Sequence, residues 1–325
     1  MNFRMFALAA AAAAVFAGCE KNHEEGFIGD GKAVELEVRL PDMHTKAEGM
    51  ENENKVNNVQ VLVFDHNKML EAYASGDGSE GSLTVSCSTG QKEVVALVNA
   101  RPLADVKSLT DLESRKTMLS DNEYDSFVME GRVKPTLKAS SSVEVDVFRI
   151  AARVALTEVA VDFELDQHDE QVFQIKSAYL INVAGERNYL NPLKPDKWYN
   201  KMKRENDAPA MTGVTVADAY VTVSKPFTEV KYMYCYPNPT VEDVIGGSWS
   251  ARFTRLVVEA ELGGKLYYYP VTLKDGIKSN TSYEVKMKIT RPGSSSPDKP
   301  VDSMTAGFSV DVQPWDDGVV VDETI

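Results

Sequence analysis

The sequence predicts an all-β protein, two β-sandwiches in tandem behind an export leader. Short runs rich in β-branched and aromatic residues recur along the chain with turn residues between them. These runs fall into two clusters separated by the polar stretch Asp166-Gln167-His168-Asp169-Glu170. At 325 residues and 43% hydrophobic content, the chain also has material for two ordinary domains rather than one. The resulting division is 1–18 leader, 19–46 tether and first strand, 47–165 first sandwich, and 166–325 second sandwich.

The leader begins with Arg4, continues through the alanine-rich apolar stretch Phe6 to Val15, and ends in Phe16-Ala17-Gly18-Cys19. That is the layout of a bacterial lipoprotein signal with Cys19 as the acylated residue. Plain secretory cleavage near Ala17 is the alternative, and Phe16 stands where such signals usually carry leucine. The apolar stretch is too short to cross a bilayer uncleaved. Acyl chains such as palmitate contribute about 0.8 kcal/mol per buried methylene, so several together anchor a protein on a membrane. Glu20 to Lys32 reads as a polar tether, its acids Glu20, Glu24 and Glu25 either a surface-export signal or simply solvated.

Val34, Leu36, Val38 and Leu40 then alternate with Glu35, Glu37 and Arg39, the period of a half-buried strand. Pro41 ends it, and 42–54 is a polar loop. Strands are expected over 59–64, with Asp65-His66-Asn67-Lys68 as a turn, and over 82–87, 93–98, 143–149 and 153–163. Residues 103–124 carry Leu109, Leu112, Met118 and Leu119 at mixed helical spacings. In the second cluster the expected strands are 174–182, 214–223, 230–236, 255–262, 266–273 and 283–290. Residues 292–300 read as a loose linker. Phe308, Val310 and Val312 alternate with Ser309, Asp311 and Gln313 to give a last strand, extended by Val319 to Val321 beyond Asp317-Gly318.

Charge excludes one class of partner. The net charge is −14, and losing the leader removes only Arg4, leaving 34 basic against 49 acidic side chains, or −15. Such a surface repels phosphate backbones, so nucleic acid is not an expected partner. Beyond Cys19 only Cys87 and Cys235 remain, either paired in an oxidising envelope or separately buried, the latter being favoured by their distance in sequence. The four histidines, His23, His44, His66 and His168, have no neighbours arranged for a metal or a nucleophile. No enzyme, metal or cofactor is expected.

Several segments in order carry a family likeness: Val56 to Asp65 (VNNVQVLVFD), Arg149 to Val154 (RIAARV), Tyr234 to Asn238 (YCYPN), Thr254 to Val258 (TRLVV), Tyr268 to Val271 (YYPV), Asn280 to Val285 (NTSYEV) and Val310 to Trp315 (VDVQPW). Together they resemble the fimbrillins, subunits of the lipoprotein-derived type V pili of Bacteroidetes-like bacteria. In that family Arg149 to Val154 looks like the closing strand of the N-terminal domain. The resemblance implies two transthyretin-like sandwiches and a structural role in the cell-surface fimbrium. It also implies removal of an N-terminal segment by a protease cutting after a basic residue in the loop that follows the first strand. Lys46-Ala47 stands in that place, with Arg39 as the alternative; lysine there implies a trypsin-like or lysine-tolerant protease.

On that reading, cleavage lets the strand of Val34, Leu36, Val38 and Leu40 leave an apolar groove with unpaired backbone groups, which demands a replacement strand. The terminal strand, residues 306–325, with Phe308, Val310, Val312, Val319 and Val321, is the candidate donor. Head-to-tail insertion does not close on itself and yields a filament. The expected partners are other pilus subunits, the surface protease, the outer membrane through the lipid before cleavage, and an adhesion receptor on a host or bacterial cell. A shaft role is expected; the alternatives are a tip or anchor subunit, or a monomeric surface lipoprotein binding glycan or host protein through Trp198, Tyr199 or Trp249. Read without the resemblance, both strands would merely complete their own sandwiches.

Overall fold

The computed structural model describes residues 31–41, 51–78, 81–139, 141–169, 171–240, 249–274, 276–301 and 306–315. Apolar alternation and β-branched runs become strands over nearly the expected residues, and the described chain is almost wholly β. Eight strands build the two larger sheets of its first part: β1 (Ala33–Arg39), β2 (Val59–Phe64), β3 (Leu70–Gly76), β4 (Ser82–Ser88), β5 (Glu93–Val98), β6 (Met129–Val133), β7 (Ser141–Glu144) and β8 (Phe148–Arg149). They make a three-stranded sheet in the order β7-β1-β4 and a five-stranded sheet in the order β8-β6-β5-β2-β3. All residues of β2 and β5 are buried, so both faces of that sheet's centre are covered. Leu103, Val106, Leu109, Leu112 and Leu119, buried in the same core, come from the segment read as helical. There the α-helix is Leu109–Ser114, capped by the Ser108 side chain accepting from the Asp111 N–H, and a 3-10 turn follows at Leu119–Asp121.

Eight more strands build the two larger sheets of the second part: β9 (Ala152–Val161), β10 (Phe173–Ile181), β11 (Gly213–Val221), β12 (Lys231–Cys235), β13 (Arg255–Leu262), β14 (Lys265–Thr272), β15 (Thr281–Ile289) and β16 (Ala306–Pro314). They form two four-stranded sheets, β12-β9-β15-β16 and β11-β10-β13-β14. Rings join the layers: Phe173 lies 6.0 Å from Phe163, just past the end of β9, and 6.0 Å from Tyr269 of β14.

The pairing departs from the sequence reading at two places. The strand expected to close the first cluster, β9, instead runs antiparallel to β12 and parallel to β15. Strand partners therefore change between Arg149 and Ala152, while the polar run at 166–170, expected as the boundary, lies between β9 and β10, two strands of the second set. Polar composition marks a surface connection as readily as a boundary, and here it includes the short helix Asp166–Asp169. Second, the stretch read as a linker is tied down, since Ser294 and Tyr268 exchange both backbone hydrogen bonds at 2.9 Å.

The wall beside β1 depends on one glycine. A Cβ on Gly131 of β6 would sit 2.0 Å from the Asp146 carbonyl oxygen, backbone that has no rotamer to yield. Gly131→Ala is expected to lower stability by about 1–3 kcal/mol, the usual range for overpacking, with thermal unfolding as the check. An unchanged midpoint would mean that residues 145–147 yield freely.

Candidate assembly interface: the first strand, its groove and the terminal strand

β1 is the middle strand of its sheet. It runs antiparallel to β4, with Val34 opposite Cys87, Leu36 opposite Val85 and Val38 opposite Leu83. It runs parallel to β7, with Leu36 beside Ser141 and Val38 beside Val143. The expected inward row is buried: Val34, Leu36 and Val38 are between 0% and 4% exposed. Leu40, just past the strand, is half-buried and packs against the core. Burying the three side chains contributes about 4.5–9 kcal/mol as an upper estimate.

The outer row of β1 is polar and solvated. Arg39 donates to Glu37 at 2.7 Å, and that bond holds the Glu37 carboxyl below its ordinary value. Ser86 donates to Glu35. Backbone bonds close both ends, from Thr89 N–H to the Lys32 carbonyl at 2.8 Å, and from Leu40 N–H to the Gly81 carbonyl at 2.9 Å.

Cys87 is a residue of the groove floor that sequence reasoning did not place. Its side chain is buried opposite Val34, and burial, with the Glu71 carboxylate adding to it, pushes the thiol up to about 11. Cys235, in β12, is pushed up to about 12 by burial. Both are free thiols, so the two separate buried cysteines are what forms. A period-two count from Leu83 and Val85 was the available signal for Cys87.

β16 occupies the edge of its sheet, paired along its length with β15. Phe308, Val310 and Val312 stand opposite Met287, Val285 and Tyr283, so the row faces the core side. Those three partners are buried, but Phe308 is 42% exposed, Val312 52%, and Val310 half-buried. The row thus carries more apolar surface than its own sandwich covers. Cys19, Lys46, Ala47, Val319 and Val321 lie outside the described residues.

Among the described residues no group of three or more His, Cys, Asp or Glu is placed to hold a metal ion, and no helix is long and apolar enough to cross a membrane. Trp198 and Tyr199, weighed as stacking platforms for a glycan, are 6% and 5% exposed, and Trp198 packs edge-on against Trp249 at 5.5 Å. Neither Trp198 nor Tyr199 presents a face to a ligand.

Residues 35–167 match the family model for the major fimbrial subunit protein FimA. The major fimbrium subunit FimA type-2 of Porphyromonas gingivalis is 22% identical over 369 residues, covering 93% of this chain and 94% of the relative. The crystal structure of a fimbrilin from Porphyromonas gingivalis superposes with a TM-score of 0.64 at 16% identity, over 89% of this chain and 99% of that one. The family match, the relative and the fold together support the FimA/Mfa-like fimbrillin family for this chain. The fimbrillin fold also matches a Bacteroides eggerthii protein ascribed to cell adhesion, with a TM-score of 0.69 at 17% identity, over 88% and 97% of the two chains. At these identities the structural likenesses speak for the fold. The named relatives are fimbrial subunits rather than enzymes, which fits the expectation of a non-enzyme for this chain.

Proposed function

We propose that this fimbrillin is a shaft subunit, exported as a lipoprotein acylated on Cys19, activated by removal of β1, and polymerised by strand exchange. The observation that carries the reading is the position of β1. It alone separates β4 from β7, so its loss leaves two strand edges facing an apolar groove. A replacement needs an alternating strand with an apolar row to spare, and Phe308, Val310 and Val312 of another copy have that pattern, with Val319 and Val321 as its extension. The named relative is a major fimbrium subunit, which favours the shaft over the tip or anchor.

Between the two basic residues, we place the cut after Lys46. Arg39 lies within β1, where its carbonyl accepts from the Val145 N–H at 3.0 Å and the next N–H is bonded to Gly81, so a protease would have to open paired strand. The lipid then leaves with residues 19–46, having served as a transport handle on the outer membrane. We further propose two sandwich units that meet between Arg149 and Ala152, where strand partners change. A trypsin-like surface protease and an adhesion receptor complete the set of partners.

N-terminal sequencing of polymers sheared from cells tests this reading. An Ala47 start in high-mass, heat-resistant material is the expected result, and a lipidated Cys19 start in monomers would overturn it. The double variant Lys46→Ala, Arg39→Ala is expected to stay a folded monomer; fibres from it would remove strand loss as the trigger.

A further inference from the structure

We infer that the terminal strand is held on its own sheet by a buried latch, Trp315 clamped by Glu53, and that opening this latch frees β16 for another subunit. The inference rests on the assembly reading above. β16 itself is poorly seated. It is an edge strand with Phe308 and Val312 half out in water, and Asp311 stands directly opposite Glu284. Like charges directly opposite weaken an antiparallel pair.

The residue just past the strand is held hard. Trp315 is 4% exposed, its indole N–H donates to Glu53 Oε2 at 2.7 Å, and its backbone N–H donates to the Asn280 carbonyl at 3.0 Å. The ring stacks on Tyr234 at 5.6 Å and meets Phe127 edge-on at 5.3 Å. The Arg149 and Arg153 guanidinium carbons lie 4.8 and 5.6 Å from its centre, an electrostatically favourable arrangement for an indole. Glu53, 2% exposed, also accepts from Arg153 Nη1 at 2.9 Å and from the Tyr234 hydroxyl, and its backbone carbonyl accepts from Arg149 Nε at 3.0 Å.

The parts come from both strand sets. Glu53, Phe127 and Arg149 belong to the first, and Arg153, Tyr234 and Trp315 to the second. Glu53 sits in the turn Glu51–Asn54, downstream of both candidate cut sites, so it stays with the processed chain. The start of that chain therefore grips the end of the strand it is to donate. A strand weak along its length and pinned at one end detaches by losing the pin and then peeling from Pro314 toward Ala306.

The test is backbone hydrogen exchange on the full-length precursor. Trp315→Phe keeps a ring but loses the indole donor, and Glu53→Gln keeps the shape but loses the charge. Each is expected to speed exchange in 306–314 at least tenfold; in Trp315→Phe exchange in 173–181 and alkylation of Cys87 stay as in the parent, and in Glu53→Gln, which also strands the Arg153 charge, the rise in 306–314 exceeds any rise in 173–181 at least tenfold. Unchanged exchange in 306–314, or an equal rise in 173–181, would overturn the latch. If Glu53→Gln does not fold, Trp315→Phe decides by the same readout. After tryptic removal of the N-terminal segment, the loosened variants should also polymerise faster by light scattering. A cut parent that never polymerises would sink the assembly reading, and the exchange result on the precursor would still decide the latch.

Discussion

Arg153→Leu is expected to lower the unfolding free energy by about 3–5 kcal/mol, the cost of stranding one charge of a buried pair. The Arg153 side chain is 9% exposed and faces a Glu53 side chain at 3%. Besides Glu53 it donates from Nε to Ser282 at 3.1 Å, and its guanidinium carbon lies 5.2 Å from the Tyr232 ring centre. Leucine fills part of the space but leaves the Glu53 carboxylate with the Tyr234 and Trp315 donors and without the Arg153 cation. Domains of ordinary size are stable by about 5–15 kcal/mol, so the loss is a large share. Denaturant unfolding at unchanged slope is the measurement. Arg132 supplies the contrast: 45% exposed, with Glu93 and Glu113 oxygens at 3.6 and 3.7 Å. Arg132→Leu should stay within about 0.5 kcal/mol. Combining Arg153→Leu with Glu53→Gln should recover part of the loss, because the second change removes the charge the first one stranded.

That contrast bears on how far the sequence could be read. β13 forms over the residues expected of it, Arg255–Leu262, because a long β-branched run between turns has few other fates. β1 was legible for the same reason, its alternation matching a sheet with one wet face. β3 was not, since Leu70–Gly76 is rich in alanine, serine and glycine, which have little strand preference; pairing with β2 across the 65–68 turn decides it. β6, with a glycine at its centre, escaped notice similarly.

The site divides along the same line. Val34, Leu36 and Val38 are local pattern, and their burial follows from it. The Glu53 cluster joins residues 53, 153, 234 and 315, and no local period relates them. Arg149-Ile150-Ala151-Ala152-Arg153 is visible as a motif, but its role depends on which ring its guanidiniums meet. The solvent exposure of Phe308 and Val312 was equally hidden, because alternation gives the face of a strand and not whether the opposing sheet reaches far enough to cover it.

Leu36→Ala should loosen β1 selectively. Leu36 is fully buried at the middle of the strand, between Val85 and Ser141, and large-to-small changes at such positions cost about 2–5 kcal/mol. If that cost falls on docking of β1 rather than on the whole fold, the undocked population rises on the order of 30- to 5,000-fold, since about 1.4 kcal/mol is tenfold. Cys87 reports it directly. Docked, its thiol is buried and pushed up to about 11, so almost no thiolate meets an alkylating reagent at neutral pH. Undocked, the side chain opposite it is gone and ordinary reactivity returns. Labelling of Cys87 should accelerate in Leu36→Ala while Cys235, buried in β12, stays silent. Glu37→Ala, on the outer row, should change neither. Equal acceleration at both thiols would mean that β1 opens only when the whole protein does, and then no local groove exists for a second strand to enter. Selective acceleration would instead make β1 a separately opening unit even before cleavage, leaving the cut to make its departure irreversible.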